Sequence, residues 1–141
     1  MGQLSFLKTN AVEGKIVKYV VSDRYLDENG KPEVWQIKGI DSEENEKLRE
    51  SCTDRIPVPG RRGQFTPELN VYKYLCKLAV ASTVYPNLHD AVTQDSFGAM
   101  GAENLLRKML ISGEYDEYIN EVQRVNKYDV TLQDKVDAAK N

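Results

Sequence analysis

Three acids crowd into the stretch Gly113-Glu114-Tyr115-Asp116-Glu117-Tyr118. Neighbouring carboxyls can divide acid–base work or hold a cation, provided that dissimilar, water-poor surroundings pull their pKa values apart. These acids instead open an amphipathic run, where negative charge simply complements the positive end of a helix. Their spacing also lacks the glycine pattern of a calcium loop. Tyr115 and Tyr118 fall on the apolar stripe of that run. His89 is the chain's one histidine. Zinc sites combine several cysteine and histidine ligands, and Cys52 and Cys76 are neither close in sequence nor joined by a second histidine. Cys76 stands in an apolar pattern between Tyr72 and Val80, which suits a core thiol better than a nucleophile that needs a histidine beside it. Cys52 follows Leu48 by one helical turn and reads as packed. The stretch "PGRRGQFT", residues 59–66, sets Arg61 and Arg62 among glycines ahead of an expected helix start, a geometry able to hold an anion. It does not match the phosphate-loop pattern, so it reads as a solvated, partner-facing connection. Lys15, Lys18, Arg24, Lys31 and Lys38 alternate with Tyr19, Tyr25 and Trp35 in the manner of a single-strand stacking surface. Asp23, Asp27, Glu28 and Glu33 offset much of that charge. The sequence thus assigns no catalytic residue, no cofactor and no metal ligand. It leaves Arg61, Arg62, Tyr115 and Tyr118 as candidates for contact with a protein partner.

The bulk properties point the same way. A net charge of −3 gives no field that would draw in nucleic acid or an anionic membrane. No apolar run approaches the roughly 20 residues needed to span a bilayer, and the first residues do not read as a signal peptide or a myristoylation site. In that setting two cysteines read as reduced thiols and the expected location is the cytoplasm.

The elements that must position these residues follow from pattern. Residues 1–14 read as a flexible arm, with Leu4, Phe6 and Leu7 as its only anchors. "KIVKYVVSDRYL" and "PEVWQIKGI" are rich in β-branched and aromatic residues, and Asn29-Gly30 between them predicts a type I′ hairpin. That turn would set Glu28 opposite Lys31 and Arg24 opposite Trp35. A lone hairpin is marginal in water, so it must pack on helices, take a third strand from the arm, or pair with another subunit. Residues 41–52 predict a short acidic helix capped by Asp41 or Ser42, with Glu43 and Lys47 paired across one turn. Residues 15–55 therefore comprise a hairpin plus a helix, and 56–66 a loop. Thr66-Pro67 predicts the start of a core helix, its stripe being Leu69, Tyr72, Leu75, Cys76, Ala79 and Val80, with Pro86 ending it. One or two turns capped by Asn87 follow. A helix over 102–111 turns Ala102, Leu105, Leu106, Met109 and Leu110 inward, with Glu103 and Arg107 paired outside. Ser112-Gly113 breaks it, and a further helix runs to about Asn126 with Tyr115, Tyr118, Ile119, Val122 and Val125 inside. The helical core spans 67–127 and a polar tail 128–141, with 15–127 one domain. The predicted class is α+β: an N-terminal β-hairpin or small antiparallel sheet, then a compact bundle of four to five short helices.

These pieces, in this order, resemble a known family. Ser22, Arg24 and Tyr25 at a strand end, Gly30-Lys31-Pro32 in the turn, Leu48-Arg49 in the acidic helix, Tyr85-Pro86-Asn87-Leu88, Phe97-Gly98, Leu105-Leu106 and Met109-Leu110-x-x-Gly113-Glu114-Tyr115 are similar to the XkdN-like tail assembly chaperones of long-tailed phages and prophages. The similarity covers about residues 15–128, and the 56–66 loop looks like a variable region. The resemblance implies a non-enzymatic protein that binds the tape-measure protein, keeps it soluble, helps recruit tail-tube subunits in the bacterial cytoplasm, and is absent from the finished virion. It transfers no residue-level site. A structural tail or connector component, or a nucleic-acid-binding accessory protein using the basic hairpin and the GRRG loop, are the competing readings, and self-association is open.

Overall fold

The computed structural model describes residues 2–10 and 15–128. Gly2–Phe6 and Lys8–Asn10 form short 3-10 turns. Leu4, Phe6 and Leu7 are exposed there. The expectations for residues 11–14 and for the polar tail beyond Tyr128 lie outside the described residues.

A three-stranded antiparallel sheet of order β1-β2-β5 forms the first layer, from β1 (Val17–Tyr19), β2 (Trp35–Ile37) and β5 (Thr83–Tyr85). The third strand arrives from beyond the core helix, not from the arm. Trp35 stands opposite Tyr19, not Arg24. The reason lies in the turn. Gly30 alone takes a positive φ, of 77°, while Asn29 does not, so the type I′ turn is not made. Gly30 N–H bonds the Asp27 carbonyl at 3.0 Å and Asp27 N–H bonds Lys31 at 2.7 Å. This is a three-residue loop closed by a left-handed glycine. The Asp27 carboxylate fixes it by accepting from the N–H groups of Asn29 and Lys31 at 2.8 and 3.0 Å. The register therefore pairs Asp27 with Lys31 and Leu26 with Pro32. Between that tip and Tyr19, residues 20–24 run outside the ladder.

Helix α1 (Ser42–Ser51) begins as expected, with the Asp41 side chain accepting from Glu44 N–H at 2.8 Å. The exposed Glu43–Lys47 pair is present at 3.8 Å. The stretch after it departs from expectation. Instead of a loop, β3 (Thr53–Pro57) and β4 (Phe65–Leu69) pair over five rungs into a second hairpin. Thr66 and Pro67 are strand residues, opposite Ile56 and Arg55. The fixed φ of proline suits an extended edge as well as a first helical turn, and the better cap lies further on. Asn70 accepts from Lys73 N–H at 3.1 Å and starts α2 (Val71–Ser82).

Helix α2 packs against α1, α4 (Ala102–Met109) and α5 (Ser112–Val125). Three neighbours require a wide inner arc, so Tyr74 and Leu78 join Leu75, Cys76 and Ala79 inside. Tyr72 points out at 67% exposure and Val80 is half-buried. Helix α2 ends at Ser82 without needing Pro86, which follows β5. Asp90, not Asn87, caps the short α3 (Ala91–Ser96) by accepting from Thr93 N–H at 2.9 Å. In α4, Ala102, Leu105, Leu106 and Met109 are buried as predicted. Glu103 and Arg107 do not pair with each other; Arg107 turns towards the Cys76 sulfur at 3.8 Å. The break before α5 falls at Leu110 and Ile111, which are extended, while Ser112 and Gly113 already belong to the helix.

The core sits between sheet and helices. Trp35 meets the Tyr118 ring edge-on at 5.1 Å, a contact worth about 0.5–1.5 kcal/mol beyond the area it buries. The Tyr118 and Thr83 hydroxyls bond at 2.6 Å. Where α5 ends, Asn126 accepts from Ile40 N–H at 2.9 Å and donates to Ser82 Oγ at 3.0 Å, tying the chain after β2 to the ends of α2 and α5. Gly39 makes that approach feasible, since a Cβ there would lie 3.2 Å from the Val125 carbonyl oxygen. Lys127, at φ 68°, then closes α5. Its N–H bonds Arg124 at 2.9 Å and that of Tyr128 bonds Gln123 at 3.0 Å, the two reverse bonds of a Schellman ending.

If Asn70 rather than Thr66 caps the core helix, Asn70→Ala lowers unfolding free energy by about 1 kcal/mol and Thr66→Ala by only a few tenths. Urea denaturation of both variants checks this, and the reverse order would restore the longer helix.

Candidate functional site

Two features stand out at the surface: a polar clasp at the start of α5 and an open groove between α2, α4 and α5. The clasp is built by the residues outside the first ladder. Ser22 is buried, and its hydroxyl accepts from Arg24 N–H at 3.1 Å. This aims the Arg24 guanidinium at the α4–α5 junction, where it donates to the Met109 carbonyl at 2.6 Å and to Glu114 Oε1 at 3.0 Å. The Tyr25 hydroxyl donates to the same carbonyl, and the guanidinium lies 5.2 Å from the Tyr25 ring centre. Met109 ends α4, so its carbonyl is one of the acceptors a helix leaves unpaired. Glu114 sits in the first turn of α5 and also accepts from Ile111 N–H at 2.9 Å. One cation thus satisfies the negative end of α4 and pairs with the acid at the positive end of α5.

The electrostatics follow. The Ile111 N–H foremost, then the Ser22 hydroxyl and the Arg24 guanidinium hold the Glu114 carboxyl below the usual carboxylate range. Of the three acids in the opening stretch, Asp116 and Glu117 are exposed as expected for a solvated face. Glu114 is not, with a side chain only 20% exposed. Its partner Arg24 could not be found from spacing, because they are 90 residues apart. The signal that existed was the pair of short patterns, Ser22-x-Arg24-Tyr25 and Met109-Leu110-x-x-Gly113-Glu114-Tyr115, which the fold brings together.

The groove lies where α2, α4 and α5 meet, with a volume near 820 Å³. Leu75, Cys76, Tyr115 and Ile119 lie along its floor; Lys73 and Lys77 of α2, Glu103 and Arg107 of α4, and Asp116 of α5 line its sides. Burial pushes the Cys76 thiol up against the lowering influence of Tyr115 and Arg107, so it stays protonated and poorly nucleophilic at neutral pH. Burial likewise raises the Tyr115 phenol well above its ordinary value.

The four expected contact residues separate. Tyr115 is half-buried and lines the groove. Tyr118 is 0% exposed. It has no surface to offer a partner in this fold, because the stripe it shares with Tyr115 turns under the sheet. Arg61 and Arg62 are exposed in the turn that joins β3 to β4. That hairpin is an exposed arm, with Arg55 stacked 5.1 Å over Phe65. Bonds from Asn70 N–H to Cys52 and from Val58 N–H to Gln64 set which residues face inward. By alternation, Pro57 and Pro67 occupy outward-facing positions on the two free edges. Neither has an N–H to offer, so both edges resist pairing with a further strand.

The other candidates resolve plainly. His89 is exposed, and Cys52 and Cys76 are buried free thiols. Among the described residues no group of three or more His, Cys, Asp or Glu side chains could hold a metal ion. The aromatics of the basic hairpin are committed to the fold: Trp35 is buried, Tyr19 lies 6.3 Å from Tyr118, and Tyr25 serves the clasp. Among the described residues no helix is long and apolar enough to cross a membrane.

With clasp and groove in place, the class of protein is that of a phage tail assembly chaperone. Residues 4–140 match the phage XkdN-like tail assembly chaperone family, and the chain belongs to it. Its relatives include two proteins of Bacillus subtilis (strain 168). It is 28% identical over 137 residues to YqbN, spanning 96% of this chain and 91% of that protein. It is 24% identical over 137 residues to the phage-like element PBSX protein XkdN, with the same 96% and 91% coverage. The crystal structure of YqbN superposes with a TM-score of 0.76 at 20% identity, over 89% of this chain and 95% of that one. The α+β fold is thereby shared.

The clasp gives a pH signature. A depressed folded-state pKa adds stability above the unfolded value, about 4.3 for glutamate, and that stability is lost as pH falls through the folded value. Glu114→Gln is therefore expected to be less stable than the parent at neutral pH and to lose less stability between about pH 5 and pH 3. Denaturation midpoints across that range test this; parallel acid limbs for the two proteins would show that Glu114 does not carry the ion pair.

Proposed function

We propose that this protein binds the tape-measure protein in the bacterial cytoplasm before tail assembly, keeps it soluble, and helps bring tail-tube subunits to it. It acts by contact and not by catalysis, and it leaves before the virion is complete. The observation that carries this reading is the α2–α4–α5 groove: an open, apolar-floored channel of about 820 Å³, in a member of the tail assembly chaperone family. A long chain of amphipathic helices exposes apolar stripes until assembly covers them. A groove of this kind accepts one such stripe, and many copies along a single chain make weak individual contacts sufficient. Tyr115 in the groove and Arg61 and Arg62 on the arm are the residues proposed to touch the partner.

Co-expression with the tape-measure protein encoded beside it tests the reading. The expected result is a co-purifying complex, with light scattering of the tape-measure protein suppressed in proportion to added chaperone and no chaperone in purified virions. Unchanged scattering and no complex would refute it, and stable incorporation into virions would make the protein a structural tail component.

A further inference from the structure

The groove has a charge pattern that restricts what can lie in it. Lys73, Lys77, Arg107, Glu103 and Asp116 line the channel, one positive charge in excess, with the Lys77 ammonium resting 3.5 Å from Ser51 Oγ at its rim. The chain as a whole carries −3. The basic excess is therefore local, on an otherwise acidic protein. Lys73 and Lys77 stand one turn apart on α2, so acids one turn apart on a guest helix can meet both. Helix α2 has 12 residues, about 18 Å of length at 1.5 Å per residue, which matches roughly three turns of guest helix.

We infer that the groove takes an amphipathic helix of about three turns that carries acids beside its apolar stripe, those acids lying along Lys73 and Lys77. The inference rests on the helix-binding reading above and narrows it to segments of one charge type. A second copy of this chain does not fit. Its acidic helix, α1, has no buried residue and a single apolar side chain, the half-buried Leu48, so it lacks a stripe for the floor. The stripes of α4 and α5 are already inside the fold.

Fluorescence anisotropy of the full chain with two three-turn helical peptides, identical in stripe but flanked by Glu or by Lys, tests this. Overlapping fragments of the tape-measure protein are measured beside them. The Glu-flanked peptide is expected to bind at least about tenfold tighter at low salt, and the advantage shrinks as salt rises. The pair Lys73→Glu and Lys77→Glu, in protein of unchanged circular dichroism, is expected to weaken it about tenfold and to reverse the preference. Equal binding of the two peptides, binding of neither, or indifference to the reversals overturns the inference. So does a dimer that the reversals dissociate, or a peptide of residues 129–141 that displaces the Glu-flanked helix. Tape-measure fragments that bind the parent and the reversed variant alike retain the client and overturn the groove assignment. A Glu-flanked peptide that binds while no tape-measure fragment does supports the groove chemistry and refutes the client.

Discussion

The guanidinium of Arg24, with the Tyr25 hydroxyl beside it, ties together parts of the chain that lie far apart in sequence. It joins the segment outside the first ladder to the last carbonyl of α4 and to the first-turn acid of α5. Both groups are negative: an acceptor without an intrahelical donor, and a carboxylate that already accepts from the Ile111 N–H. A single delocalised cation with several donors in a fixed fork meets both, which a lysine ammonium would do less well. The geometry is costly to form, since it must order residues 20–24 against a helix junction far along the chain. Ser22 and Tyr25 lower that cost by fixing Arg24 from either side.

The groove lies among helices two of which this arrangement joins. Its floor is shared between α2 and α5, and α4 contributes Glu103 and Arg107 to its sides. The position of α5 relative to α2 and α4 therefore shapes the channel. Behind α5, Tyr118 locks against Trp35 and Thr83, and Asn126 locks its far end to Ser82 and Ile40. The helix is thus fixed on its buried side by packing, at its end by hydrogen bonds, and at its start by the clasp. Its outer face, with Asp116 and Glu117, is exposed.

Much of this was legible in the sequence where a single physical rule dominated. The apolar spacing of Leu105, Leu106 and Met109 and of Tyr118, Ile119 and Val122 gave α4 and α5 their inner faces. Asp41 gave the start of α1. The failures came where two rules competed. Asn29-Gly30 satisfies a type I′ turn, but the Asp27 side chain stabilises a longer loop and shifts the register. Thr66-Pro67 satisfies a helix start, yet it is equally at home in a strand, and Asn70 is the cap that pairing between β3 and β4 leaves free to act. A stripe broad enough for a central helix is present in α2, but with three neighbours around it the inner arc takes in Tyr74 and Leu78 and leaves Tyr72 outside. Of the site, Tyr115 was visible from its stripe, but Tyr118 on the same stripe was not distinguishable from it. Which stripe residue faces a groove and which a sheet depends on the third dimension. The charge pattern of the groove was invisible, because its lysines and acids come from three helices.

The most direct test of the account is the effect of Arg24→Ala on client binding. Arg24 does not line the groove, so it can influence a bound helix only through the position of α5. Binding of a tape-measure fragment by Arg24→Ala protein whose far-UV circular dichroism still matches the parent is predicted to weaken measurably, with faster hydrogen exchange at the Ile111 and Tyr115 amides. Undiminished affinity with unchanged exchange would contradict the claim that the clasp sets the groove.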